Sequence, residues 1–456
     1  MRPAVLSFDP RAIWLIALPA MVTNVATALI SVGDMWIVGR LEDAAAQGAV
    51  EVGARLFAML FTVMNFLKTG TTGLVAQDGT RSGEAAQAET LIRGCVVGLV
   101  IAAGLLLAKP VLLPLLLAAL GAEGSVLAQA AVYAEIRYWT APGVLMNLAL
   151  IGFLVGRRQM RAALVIEVLY NLANVGLGLW FVLGLETGIA GIGWSSFIAE
   201  YAKLAGTLAF ILSGSAAPAI RRALGAKGVV AWGKVAPFLS VNRDLFLRTV
   251  VLMLALAALT RLGAERGAVT LAANGIIYQM FIVTALLLDG FENAAQVLNG
   301  ERFGAKDRDG FKRYIGALLW RGLGAAALVS LFFLLLAEPI LASFAATEAV
   351  FAEARAQAYW LAIIPFAGVA SFVLDGVFVG ASWTRALLIT MAGAAAVYAL
   401  ALWLSWPMGN TGLWLSFTLF LAVRAVLQAL MIPRLVRQSL PPRNVASPRE
   451  SGGVSE

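Results

Sequence analysis

The chain has 456 residues, 61% hydrophobic and only 13% charged, with 34 Lys and Arg against 26 Asp and Glu. A soluble domain is about half apolar and a quarter charged, whereas here the apolar excess arrives in runs of roughly 20 residues, the length that crosses a bilayer. The absence of histidine and the single cysteine, Cys95, remove His-based metal sites, Ser-His-Asp triads, Cys-His pairs and intrachain disulfides; the composition is that of a polytopic membrane protein, not a soluble enzyme, and with no convincing catalytic dyad no enzyme activity is expected.

The first apolar run, Ala12 to about Val38, exceeds a signal-peptide core, and its leader carries Asp9, so the N-terminus is expected to be retained. Twelve spans are expected, near 13–38, 51–76, 92–118, 126–154, 161–184, 188–212, 233–260, 268–298, 312–337, 349–378, 385–406 and 411–433. Between the sixth and seventh lies a basic linker, 213–232; a polar tail rich in Pro, Ser and Gly, 434–456, reads as disordered. One set of loops carries Arg157, Arg158, Arg161, Arg221, Arg222, Arg302, Lys306 and Arg308, while the other offers little beyond Arg40, Arg55, Lys109, Arg261 and Arg266. By the positive-inside rule both termini are cytoplasmic. The net charge of +8 is thus a topological signal, and no nucleic-acid partner is expected.

The two halves resemble each other. "GAVEVGAR" at 48–55 matches "GAVTLAAN" at 267–274, "DGTRSGE" at 78–84 matches "NGERFGA" at 299–305, and "WSSF" at 194–197 matches "WLSF" at 414–417, each pair about 220 residues apart. A period held that constant implies a duplicated unit. Six spans per unit return the chain to its starting side, so the repeats are parallel and related by an axis along the membrane normal. The expected fold is therefore all-α: an N-terminal six-helix lobe, 1–212, and a C-terminal six-helix lobe, 233–433, around a cleft.

Two six-helix lobes, an Asp late in the first span and "VGRL" just after it resemble the multidrug and toxic compound extrusion (MATE) transporters. "TTGLVAQDG" at 71–79, "NLANVGLGLWFVLGL" at 171–185, "GIAGIGWSSFIAEY" at 188–201, "NRDLFLRT" at 242–249, "LLLDGFENAAQVLNGERFGA" at 286–305 and "VLDGVFVGAS" at 373–382 look like its DinF (DNA-damage-inducible protein F) branch. The resemblance implies that a proton or sodium ion moves inward while an organic cation or another amphipathic compound moves out. It carries a cation or proton site onto Asp34, Asn174 and Ser196, and a first-helix hinge onto Pro19. It also marks a departure: Gly178 stands where the family has a second carboxylate.

Charge in hydrocarbon is costly, so intramembrane ionisable residues face a protein interior or a wet cavity. By position alone, Asp34 reads equally as a helix-end cap or a partner of Arg40; the resemblance favours a competition between proton and cargo for its carboxylate. Asn174, with Asn171 one turn earlier, and Ser196 also read as helix–helix glue. Glu200, one turn below Ser196, needs a partner, and Lys68 lies at comparable depth; a structural pair is weighed ahead of a second proton stop. In the second half, Asp289 and Asp375 fall toward the cytoplasmic ends of their helices, with Arg248 and Arg424 nearer the middle, so Arg248 with one of these acids forms either a coupling or gating clamp or a static pair. Asp375, near the membrane edge, favours the static reading. Tyr138, Trp139, Trp360 and Phe366 are candidates for lining a cleft, and Trp14, Trp36, Trp232 and Trp406 for an interfacial belt.

"GVVAWGKV" at 228–235 nearly fits a phosphate loop but lacks its final Ser or Thr and opens a membrane helix, so no nucleotide or other cofactor is expected. The leading expectation is a monomeric secondary antiporter in a bacterial-type inner membrane, with the lipid bilayer and small amphipathic cations as partners. The alternative is an exporter or flippase of lipid-linked or polyanionic substrates, supported by mid-membrane Lys68, Arg137, Arg248, Arg321 and Arg424.

Overall fold

A computed structural model describes residues 7–38, 44–121, 123–345 and 347–440; the side chains of 27–36, 38, 44, 45 and 47 lie outside the described residues. Without water to bond to, a backbone in hydrocarbon must satisfy itself within its own segment, which leaves the helix as the available form for isolated apolar runs. The first half comprises α1 (Arg11–Val38), α2 (Ala44–Met64), α3 (Phe66–Arg81), α4 (Glu84–Ala119), α5 (Gly124–Tyr138), α6 (Ala141–Gly156), α7 (Met160–Leu179) and α8 (Ile189–Ser213). A short α9 (Ala217–Gly225) leads to α10 (Trp232–Glu265), α11 (Ala268–Gly304), α12 (Arg308–Phe344), α13 (Glu348–Ala356), α14 (Trp360–Gly380), α15 (Thr384–Ser405) and α16 (Asn410–Ser439).

Ten helical segments among the described residues are long and apolar enough to cross a membrane, and α5 with α6 makes an eleventh, bent by 49°. With α1, whose 28 residues exceed the length of a bilayer crossing, the fold accommodates the twelve expected spans. Several differ from the simple rods expected. Asn65 interrupts the second between α2 and α3. The fourth bends just before Pro142, which has no N–H to continue the α5 ladder. The tenth is divided into α13 and α14. The expected linker holds α9, whose Ala219 and Ile220 are buried. Residues 299–304, expected in a loop, are the last turns of α11.

The apolar cores show how the halves meet. One runs through both: Ile13 and Ile16, Leu67 and Val75, Leu145 to Val155, Phe291 to Leu298, Val373 to Val379 and Val436. These positions fall at alternate helix starts and ends, all on the side that carries the termini. On the opposite side the cores separate, one with Phe57, Leu113, Tyr133 and Ile192 from the first half, the other with Ile277, Phe333, Trp360 and Phe417 from the second. The halves are thus joined on the terminal-bearing side and parted on the other.

Small residues make that junction close, as is usual where helices pack in lipid. A Cβ on Gly73 would lie 2.7 Å from the Val379 carbonyl oxygen, and one on Gly300 would lie 3.0 Å from Ala76 Cβ. Gln77 Nε2 donates to the Gly380 carbonyl at 2.6 Å and to Ser382 Oγ at 2.7 Å, and Gln296 Nε2 donates to the Thr69 carbonyl. Arg158 forms a two-pronged pair with Glu301, its Nε 2.5 Å from Oε1. Arg158 and Ser382 both hold left-handed backbones, with φ of 61° and 55°. That conformation is unusual for residues with a Cβ, so the junction fixes its contacts at some backbone cost.

Candidate functional site

Above this junction lies a cavity of about 300 Å³, lined by α1, the α2–α3 break, α10, α11, α14 and α16. Asn65 lines it together with Thr62, Lys68, Thr69 and Thr72 on either side, so the helix interruption falls where the cavity needs polar groups. Interrupted helices at ligand depth are tolerated because they face a cavity and not lipid. Its apolar wall includes Leu252, Met253, Leu256, Phe281, Phe372 and Phe417.

The acidic part of the cavity wall comes from α11, where Asp289, Glu292, Asn293 and Gln296 all line the cavity. Their spacing of three, four and seven residues puts them on one helical face. Glu292 is not among the residues that the resemblance marks in "DGFENAAQ"; the i, i+3, i+4, i+7 stripe is the sequence signal that points to it. Neither Asp289 nor Glu292 forms an ion pair among the described residues, and Lys68, facing them from the first half, likewise forms none. Asn293 Nδ2 is satisfied by the Asp289 main-chain carbonyl at 2.8 Å, which leaves the Asp289 carboxylate to the cavity.

Arg248 and Arg424 also reach the cavity but are committed elsewhere. Both donate through Nη2 to Asp375 Oδ2, Arg424 at 2.5 Å, and Gln428 Nε2 donates to Asp375 Oδ1 at 2.5 Å. Asp375 is completely buried and, near the end of α14, anchors a cluster drawn from α10, α14 and α16. Arg248 therefore pairs with Asp375 and not with Asp289.

The first-half residues form two other groups. Glu200 accepts from Asn147 Nδ2 at 2.7 Å, and Lys203 Nζ lies 2.7 Å from Glu167 and 4.6 Å from the centre of the Tyr170 ring. This corrects the expected Glu200–Lys68 pair: Lys68 lines the central cavity, and Asn147 holds the Glu200 carboxylate. Nearer the outer side, buried Asn174 accepts from Ser195 Oγ at 3.2 Å, while Ser196 Oγ and both polar atoms of Asn171 have no partner among the described residues. A Cβ on Gly178 would lie 3.0 Å from Ile37 Cδ1 and 3.5 Å from Ser195 Oγ. The space beside Gly178 is thus filled by Ile37 at the end of α1, and the turn from Trp180 to Gly184 widens into a π-helix nearby. Asp34 belongs to α1, but its side chain lies outside the described residues.

Pro19 sits within an α1 that continues past it; Thr23 Oγ1 donates to its carbonyl at 2.8 Å. The adjoining turn packs on α11, where a Cβ on Gly290 would lie 2.7 Å from the Ala17 carbonyl oxygen. The aromatic candidates do not line the cavity: Tyr138 and Trp360 are buried in the separate outer cores and Trp139 and Phe366 are exposed. Phe66, Phe281, Phe372 and Phe417 take that place.

The MatE family model matches residues 19–180 and 245–403. DNA damage-inducible protein F of Escherichia coli (strain K12) is 34% identical over 431 residues, spanning 93% of this chain and 92% of that protein. Two solved structures share the fold at 16% identity, each covering 94% of this chain and 97% of its own. One, described as MATE in the bent conformation, has a TM-score of 0.82; the other, an outward-facing conformation of a multidrug resistance MATE family transporter of the MOP superfamily, has a TM-score of 0.80. Two matched segments that together cover most of the chain, and a relative of this identity along nearly its whole length, show the family: the chain belongs to the MatE family of membrane transporters.

Proposed function

We propose that the chain is a secondary antiporter that exports organic cations and other amphipathic compounds in exchange for inward-moving protons, by alternating access. The observation that carries this reading is the pair Asp289 and Glu292, one turn apart on α11, lining the cavity with no ion pair among the described residues. The charges at the cavity are Lys68, Arg248 and Arg424 against Asp289, Glu292 and Asp375, which balance when all are ionised. One proton or one cationic cargo leaves a single excess charge in a low-dielectric site; both together leave two, at far higher cost. Exclusive occupancy couples the fluxes, and each proton moving down 100 mV supplies about 2.3 kcal/mol.

Asp34, with Asn174 and Ser196 as the resemblance groups them, would provide a further protonation point in the first half, and Pro19 the hinge through which α1 responds. Glu200 and the Arg248–Asp375 pair would hold their helices while the junction opens. The joined terminal-bearing side and parted opposite side fit an outward-open state, with both termini cytoplasmic and the chain working as a monomer in the plasma membrane. Sodium is the other candidate coupling ion; protons are preferred because a lone carboxylate pair suits a proton better than the oxygen-rich shell a metal cation wants.

Export of polyanionic or lipid-linked substrates is less well supported. Arg248 and Arg424 share the single charge of Asp375 and Lys68 forms no ion pair among the described residues; Asp289 and Glu292 in the same cavity balance the two positive charges left over and would repel a polyanion. Reconstituted protein tested under imposed pH or sodium gradients decides between the readings. Uptake of a cationic dye should follow the pH gradient and disappear in the Asp289→Asn, Glu292→Gln double variant; uptake independent of both gradients overturns the proposal.

A further inference from the structure

We propose that the groove between α4 and α10 binds an anionic phospholipid from the leaflet on the terminal-bearing side, with the headgroup at the charged end of the groove and an acyl chain along its apolar length. The inference goes beyond the antiport reading and does not depend on it. The groove has a volume of about 490 Å³ and is distinct from the central cavity. Met64, Phe66, Val97 and Ile101 of the first half form one wall, and Leu239 and Phe246 of α10 the other. Phe66 also lines the central cavity and meets Phe246 edge-on, with ring centres 5.8 Å apart. The walls come from both halves, so the site is complete only while α4 and α10 lie side by side.

Position along α10 fixes the depth. Arg243 and Arg261 keep 64% and 83% of their side chains exposed. They are separated by about 27 Å at 1.5 Å per residue, close to the ~30 Å thickness of bilayer hydrocarbon. Exposed guanidiniums avoid hydrocarbon, so the two mark its boundaries. The groove straddles the boundary at Arg243: Trp232, Ala236 and Leu239 lie toward the headgroups, and Phe246 toward the chains. At the headgroup end two cations share one carboxylate, with Arg93 Nη2 2.5 Å and Lys234 Nζ 2.9 Å from Glu89. Val97 is one turn from Arg93 on α4 and Ala236 is two residues from Lys234 on α10, so this surplus positive charge sits at the mouth of the groove. Arg243 pairs with Asp244, while Arg221, Arg222 and Lys227 of the preceding linker are exposed and form no ion pair among the described residues. A phosphodiester with an uncharged headgroup offsets the surplus; the choline of a zwitterionic lipid cancels that gain.

Native mass spectrometry of the purified, delipidated full-length protein, titrated with phosphatidylglycerol or phosphatidylcholine of identical chains, provides the test. The first phosphatidylglycerol is expected to bind about tenfold more tightly than the first phosphatidylcholine, the scale that one or two basic residues at a membrane surface supply. Two variants probe the site in different ways. Lys234→Gln with Arg243→Gln removes charge and should bring the ratio to about one, while Lys234→Arg with Arg243→Lys should keep it. Ala236→Trp fills the groove with every charge in place, and should weaken the first phosphatidylglycerol at least several-fold. Melting temperatures measured beside the titrations distinguish a lost site from a lost fold, and Ala236→Trp leaves the Arg243–Asp244 pair intact. Equal affinity of the unaltered protein for the two lipids overturns the inference, as does a preference that survives the charge removal or a first-site affinity that survives the filled groove.

Discussion

Thr80 and Glu301 occupy the same position of the two sequence repeats, and Thr80 Oγ1 donates to the Glu301 main-chain carbonyl at 2.8 Å. Equivalent residues can touch only where the axis relating the halves passes between them. The stretches "DGTRSGE" and "NGERFGA" therefore resemble each other because each is half of a single junction, not because each performs a separate task. A Cβ on Gly73, one turn before Gln77, would lie 2.7 Å from a carbonyl oxygen of the other half, so Gly73→Val should wedge the junction apart. A cysteine introduced at Thr69, in a Cys95→Ser background, should then react several-fold faster with a maleimide added from the terminal-bearing side. An unchanged rate would show that the junction does not close that side.

Asp375 and Asp289 should respond differently to loss of charge. Asp375→Asn leaves the buried guanidiniums of Arg248 and Arg424 without their carboxylate, a loss that typically costs about 3–5 kcal/mol. Asp289→Asn breaks no ion pair among the described residues and should change stability by less than about 1 kcal/mol, yet abolish gradient-driven uptake. Thermal unfolding in detergent, measured beside transport, checks both. Equal destabilisation by the two would contradict the division between an anchoring and a cargo-facing acid.

Proton and cargo compete for the carboxylates, so the sign of the pH effect is fixed. A protonated carboxyl cannot neutralise a cation, and the affinity for monodansylcadaverine should therefore fall as the pH falls. Arg248, Arg424 and Asp375 would break an ion pair on changing protonation; Asp289, Glu292 and Lys68 would not, and of these only the two acids attract the cation. In Glu292→Gln the slope of affinity against pH should be roughly halved, and in the double variant with Asp289→Asn it should vanish. A slope that persists in the double variant would move the coupling site elsewhere, with Asp34 the first candidate.

Gly178→Asp introduces a carboxylate into space held by Ile37 Cδ1. Overpacking of this kind costs about 1–3 kcal/mol, so the melting temperature should drop. Ile37→Ala in the same chain should recover part of the loss by vacating that space. No change on either substitution would mean the α1–α7 contact is loose enough to admit a side chain.

Fold class was legible from the chain because hydrocarbon is an unforgiving solvent: apolar runs of spanning length have to become helices, and a constant repeat offset has to mean two equivalent units. Loop charge set the expected sidedness for a similar reason, since Lys and Arg are costly to translocate. Asn65, Pro142 and the split before Trp360 were visible as residues but not as breaks, because whether a helix is interrupted depends on which neighbours can accept its freed groups.

Partnership was decided only in three dimensions. The sequence offered Arg248, Arg424, Lys68, Asp289, Asp375 and Glu200 as charges that needed company. It could not say that Asp375 would take both arginines, that Asn147 would hold Glu200, or that Lys68, Asp289 and Glu292 would be left facing one cavity. Helical periodicity fixes which residues share a face, whereas pairing across a membrane protein depends on how separate helices rotate and approach, and that is set by glycines and small side chains hundreds of residues apart.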